Sequence, residues 1–134
     1  MGMARVEVRD KGIDRWSRNG DGYLAMPHIV AADATDGALS LTVAQIRGGF
    51  ALYTGLTGGQ NLTTPTAAAI LAALPGLDVG DTYVVRVTNT AAQAATLTAG
   101  DGDVTLAGFA TVNANTRTLV IEKTSSTTVT ITAI

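Results

Sequence analysis

The sequence predicts a mainly β protein: an antiparallel β-sandwich, jelly-roll-like, with one short α-helix at about residues 65–74. Two observations support this prediction. Segments rich in Val, Thr, Leu and Ile recur about every 8–12 residues in the second half of the chain, with turn-forming residues between them. One Ala-rich stretch, residues 64–76, has the composition of a helix.

The first 22 residues differ from the rest of the chain. Nine charged residues fall between Arg5 and Asp21, and only eleven serve the remainder. We therefore divide the chain into a charged N-terminal arm, residues 1–22, and a β-sandwich domain, residues 23–134. We expect the arm to bind a neighbouring subunit or another partner, with the lone Trp as an anchor. A solvated terminus is the alternative. The candidate partner-binding residues are Arg5, Arg9, Lys11, Arg15, Trp16 and Arg18.

Between the arm and the helix, two segments read as strands. Residues 38–43 alternate, with Leu39, Leu41 and Val43 on one face, and residues 50–54 form a second strand. The Gly-rich residues 55–61 predict a mobile surface loop.

The helix prediction rests on its two ends. Thr64 is a good N-cap, Pro65 suits the first helical position, and residues 75–76, Pro-Gly, supply the stop. Ile70, Leu71 and Leu74 form a narrow apolar stripe. We expect this helix to cover an open end or edge of the sheets.

The predicted strands after the helix carry Thr at alternate positions, with Val, Leu or Ile facing the core. Gly100, Asp101 and Gly102 predict a hairpin-like turn, and residues 123–126 predict another. The strands are residues 82–89, 95–99, 103–107, 117–122 and 127–132.

Composition and charge exclude several classes of protein. A net charge of −2 and a pI near 5.1 argue against nucleic-acid binding. The chain has no Cys, and its beginning is charged rather than apolar. No run approaches the ~18 apolar residues of a membrane span. We expect a soluble, non-secreted protein whose low content of charged residues, 15%, reflects surface that is buried in an assembly.

No constellation in the sequence predicts catalysis, a cofactor or a metal. His28 is the single His, and a structural role fits its apolar context. Residues 17–22 resemble the front of a calcium loop, but His28 stands where the bidentate Glu belongs. Asp101 and Asp103 fit ordinary turn chemistry better than a cation site. The Gly-rich residues 55–60 lack the Gly-Lys-Ser/Thr ending of a phosphate-binding loop.

From about residue 41 onward the sequence resembles a family of small structural proteins of tailed bacteriophages and virus-like particles. The resemblance lies in the order of several short motifs. They are Thr-Val-Ala-Gln-Ile at 42–46, residues 49–55, Thr-Thr-Pro-Thr-Ala-Ala-Ala-Ile at 63–70, Val-Gly-Asp-Thr at 79–82, Arg-Val-Thr-Asn-Thr at 86–90, Thr-Leu-Thr-Ala-Gly at 96–100 and Val-Thr-Leu-Ala-Gly at 104–108. The first ~30 residues take no part in it.

The resemblance implies a head decoration (cement) protein, β-rich and often trimeric, on the capsid surface of the virion after synthesis in the host cytoplasm. Its expected partners are the shell of major capsid protein and further copies of itself, with neither nucleic acid nor membrane. A phage fibre or glycan-binding module is the first alternative, and a small hydrolase is the second.

Overall fold

The structure is a computed structural model that describes residues 30–134. Within this range nine strands and two short helices confirm the prediction of a mainly β protein. In chain order the elements are β1 Leu39–Ser40, α1 Val43–Gly48, β2 Phe50–Tyr53, β3 Gln60–Thr63, α2 Ala67–Ala73, β4 Thr82–Asn89, β5 Ala95–Thr98, β6 Val104–Gly108, β7 Thr111–Val112, β8 Asn115–Lys123 and β9 Val129–Ala133.

The strands form two sheets. One has five strands in the order β2-β4-β8-β9-β6, and the other has four in the order β1-β3-β5-β7. Successive strands alternate between the two sheets from β1 to β8, so the chain crosses from one sheet to the other at nearly every connection. Only β8 and β9 are consecutive strands that pair directly, and residues 124–128 connect them, close to the turn predicted at residues 123–126.

Both sheets are mixed, which corrects the prediction of antiparallel sheets. The pairs β1–β3, β2–β4, β3–β5 and β6–β9 are parallel, whereas β4–β8, β5–β7 and β8–β9 are antiparallel. Parallel neighbours need a crossover connection, and in all four parallel pairs the connection passes through the other sheet. Residues 100–102 do not close a hairpin. They connect β5 to β6, which lie in different sheets.

Helix α1 begins at Val43, the last residue of the strand predicted at residues 38–43, and its cap at Thr42 shortens that strand. Thr42 and Gln45 form a capping box, in which Gln45 N donates to Thr42 Oγ1 at 3.1 Å and Thr42 N donates to Gln45 Oε1 at 2.8 Å. Gly49, with φ of 77°, ends the helix in the left-handed conformation. The strand is therefore only Leu39–Ser40.

Helix α2 lies within the predicted range, but its cap differs. Thr66 is the N-cap and accepts from Ala69 N at 3.2 Å, so the assignment of Thr64 as the cap was wrong. The Thr64 hydroxyl instead accepts from Gly100 N at 2.9 Å and ties the helix entry to the β5–β6 connection. Ile70 and Leu74 are buried and Leu71 is half-buried, which confirms the apolar stripe.

The core is aliphatic and contiguous, and both sheets contribute to it. In the four-stranded sheet Leu39, Leu62 and Leu97 lie in register as a ladder of buried leucines. In the five-stranded sheet Ile121 pairs with Ile131, and both are fully buried. Two strands escaped sequence analysis: β3, half of which lies in the predicted loop, and the two-residue β7.

Candidate functional site

The arm and its six candidate residues lie outside the described part of the chain. Arg5, Arg9, Lys11, Arg15, Trp16 and Arg18 therefore stay predictions. The same holds for His28 and for the calcium-like residues 17–22. The structure tests the candidates from residue 30 onward.

The Asp101 carboxylate accepts hydrogen bonds from nearby backbone N–H groups. Its Oδ1 accepts from Asp103 N at 3.1 Å and from Ala67 N, at the start of α2, at 3.4 Å. Both contacts are turn and helix-end chemistry. Residues 30–134 contain no group of three or more His, Cys, Asp or Glu side chains that would hold a metal ion.

The Gly-rich loop at residues 55–60 is tied to the turn at residues 33–37. Thr57 donates from its hydroxyl to Asp36 Oδ2 at 2.6 Å and from its backbone N to Asp36 Oδ1 at 3.0 Å. These two bonds hold the pKa of Asp36 below its ordinary value of 3.8, because they stabilise the carboxylate form. The Asp36 carboxylate therefore joins the Gly-rich loop to the turn at residues 33–37.

The buried polar side chains of the described region serve the fold. The Tyr53 hydroxyl lies 3.1 Å from Gln45 Oε1 and 3.2 Å from Ser40 O, and burial raises the pKa of Tyr53 far above its usual range. Asn89 donates to Gln93 O at 2.6 Å and to Val112 O at 2.9 Å, and its Oδ1 accepts from Ala91 N. These satisfied networks fix the ends of β2 and β4.

A broad candidate surface of the described residues is the outward face of the five-stranded sheet. One row across the sheet aligns Val84, Val120, Thr132 and Ala107. A neighbouring row aligns Thr82, Glu122, Thr130 and Thr105. The outward positions of β2, on the sheet's edge, are held by Phe50 and Leu52.

This face carries little charge. Among the outward positions of the five strands, only Arg86 and Glu122 are ionised side chains, and most of the others are Thr or aliphatic. Val84, on β4, is 52% exposed. A wide face of this composition loses little solvation free energy when another protein covers it, because few charges must be desolvated.

At the β6 end of the sheet, Phe109 is 60% exposed. The Arg117 guanidinium lies 4.4 Å from the centre of its ring, and Arg117 Nε donates to Thr111 O at 3.2 Å. The cation therefore covers one face of the aromatic ring and leaves the other accessible.

Comparison with known proteins gives no relative. No family model, curated protein or solved structure matches this chain. Among residues 30–134, neither helix has the length and apolar character that crossing a bilayer requires. The sheet face and the β6 end are the candidate functional surfaces of the described residues.

Sequence reasoning anticipated part of these surfaces. The alternation of outward Thr with inward aliphatic residues is observed in β9, where Val129, Ile131 and Ala133 are buried. Sequence reasoning missed the exposure of Val84, because all three residues of the run Tyr83-Val84-Val85 are hydrophobic and do not show which one faces outward. Arg86 shows which positions of β4 face outward, since it is exposed two positions after Val84 and therefore lies on the same face.

Proposed function

We propose that this protein is a virion structural protein, a capsid decoration protein that binds the assembled phage head as an oligomer and stabilises it. The observation that carries the proposal is the wide, weakly charged outward face of the five-stranded sheet. The resemblance to small tailed-phage structural proteins, from about residue 41 onward, supplies the class of partner, a shell of major capsid protein.

The mechanism we propose is stabilisation by selective binding. A ligand that binds the assembled shell, and does not bind its dissociated or ruptured state, stabilises the shell in proportion to its occupancy. This requires no reacting group, and we assign none.

For the body of the molecule we propose a β-sandwich, jelly-roll-like in the way that its strands pass between sheets. Two features support this arrangement. The buried residues of both sheets belong to one core cluster, and consecutive strands alternate between the sheets. Such a body would present the outward face of the five-stranded sheet as one layer.

The proposal is tested by mixing the protein with purified heads that lack decoration and measuring co-sedimentation and the temperature at which the heads rupture. We expect saturable binding and a higher rupture temperature. Val84→Glu should weaken binding by at least about tenfold, because it places a charge among the uncharged residues of the face. The matched control is Val79→Glu, at a 63% exposed residue in the connector before β4. Equal binding by the two variants would contradict the role of the sheet face.

The arm is tested separately. A protein that lacks residues 1–22 should bind heads more weakly than the full chain, because we place anchoring contacts of Trp16 and the basic residues in this segment. If the truncated protein bound equally well, the arm hypothesis would fail while the sheet-face proposal would stand.

A phage fibre or glycan-binding module is the alternative that one observation favours, since Phe109 offers an exposed aromatic ring. Sugar rings stack on such surfaces. The alternative is tested with a panel of host-surface glycans. It would be supported over decoration if the protein bound a glycan, if Phe109→Ala abolished that binding, and if the protein did not bind heads.

A further inference from the structure

Strand β6 forms one edge of the five-stranded sheet, and within residues 30–134 it pairs with β9 alone. Val129 N donates to Asp103 O at 3.1 Å, and Phe109 N donates to Ala133 O at 2.9 Å. Backbone polar groups alternate between the two sides of a strand. Residues 103, 105, 107 and 109 therefore face β9, and the polar groups of Val104, Leu106 and Gly108 face outward.

The backbone N–H and C=O groups on the free side of β6 can pair with the same groups of a second copy. Val104 N already donates to Asp101 O at 3.4 Å. Gly108 has φ of 81°, which turns its C=O away from the direction of the strand but leaves its N–H in line with the preceding residues. The edge thus presents the N–H and C=O of Leu106, the C=O of Val104 and the N–H of Gly108.

We propose that two copies of this chain associate through their β6 edges, antiparallel about a two-fold axis at Leu106. In this register the two Leu106 residues exchange both hydrogen bonds. Gly108 N–H of each copy donates to Val104 C=O of the other. The four free polar groups of each edge are all satisfied, and the five-stranded sheets become one continuous ten-stranded sheet.

The backbone groups alone fix the register. No other register about a two-fold axis pairs all of the outward groups.

The edge also lacks charged residues and Pro within the strand. Natural edge strands are protected by Lys, Pro or inward charges. Between Asp103 and Arg117 the sequence contains no charged residue and no Pro. Thr105 and Ala107, on the outward face, are both small enough to lie across from each other.

This contact is independent of the capsid role and differs from a trimer interface. An isologous contact joins copies in pairs, whereas a closed trimer uses a heterologous one. Edge pairing alone gives twice the 13.6 kDa chain mass, and edge pairing between trimers gives a hexamer or a larger even-numbered assembly.

Amide hydrogen exchange, followed by NMR on the full chain at concentrations from about 10 µM to about 1 mM, tests the proposal directly. The amides of Leu106 and Gly108 should gain protection as concentration rises, in step with the mass from light scattering. Thr105 and Ala107, which bond to β9, are internal controls and should be protected throughout. Exposed amides at Leu106 and Gly108 in an oligomer would overturn the proposal. So would their protection in a monomer at every concentration, since the chain itself would then cover the edge.

Discussion

Thr57 and Asp36 join two surface loops through a pair of hydrogen bonds to one carboxylate. Because these bonds lower the pKa of Asp36, the tie is complete above its ordinary value of 3.8 and is lost as pH falls through the lower, folded-state value. We predict that an NMR titration of the Asp36 carboxyl carbon gives a midpoint below 3.8, with the Thr57 amide shift following the same curve. In Thr57→Val the midpoint should move up toward 3.8. An unchanged midpoint in that variant would show that the bonds to Thr57 do not set it.

Gly108 is required by its conformation and by its surroundings. Its φ is 81°, and a Cβ at this position would stand 2.1 Å from Ala133 O, a backbone atom of the paired strand. We predict that Gly108→Ala lowers the free energy of unfolding by about 2 kcal/mol or more, measured by urea denaturation. Gly58→Ala is the matched control, since a Cβ there meets nothing within 4 Å, and it should stay within about 0.5 kcal/mol of the parent. Equal stabilities would contradict the strained position of Gly108.

At the scale of elements, α1 shows why one helix was found in the sequence and the other was not. Leu39, Leu41 and Val43 satisfy the period of a strand, and a six-residue helix is too short to show its own period. The decisive signal was local. Thr42 and Gln45 are spaced as a capping box, and the Gly48-Gly49 pair ends the segment. In α2 the Ala-rich interior was long enough to be recognised, although the cap was placed two residues too early.

The capping box of α1 is therefore expected to contribute measurably to stability. We predict that Thr42→Ala destabilises the protein by about 1 kcal/mol, because Gln45 N loses its side-chain acceptor. Thr42→Ser keeps the hydroxyl and should recover most of that loss. Denaturant midpoints for the two variants provide the measurement. If Ser and Ala gave the same midpoint, the hydroxyl would not be the stabilising group.

At the scale of the whole molecule, sequence pattern predicted the strands but not their partners. Residues 82–89 were predicted with the observed bounds, because the strand is long and its flanks are polar. The pairing of β6 with β9, 25 residues away, has no counterpart in the pattern, since Val-Thr-Leu and Val-Thr-Ile repeats would fit several neighbours equally well. The outward face depends on this pairing. The composition of the outward face could be predicted from the Thr residues at alternate positions. The number of strands that contribute to the face could not.

The alternation of strands between the sheets makes the two sheets one folding unit. Neither sheet contains a long run of consecutive strands, so neither can form fully while the other is unfolded. We predict a single cooperative transition in which Leu62→Ala, in the four-stranded sheet, and Ile131→Ala, in the five-stranded sheet, each cost about 2–5 kcal/mol, because both side chains are fully buried. Far-UV circular dichroism and tyrosine fluorescence should report the same midpoint in each variant, since Tyr53 and Tyr83 belong to the five-stranded sheet. If Leu62→Ala shifted the dichroism midpoint and left the fluorescence midpoint unchanged, the sheets would unfold separately, and the shared core would not couple them.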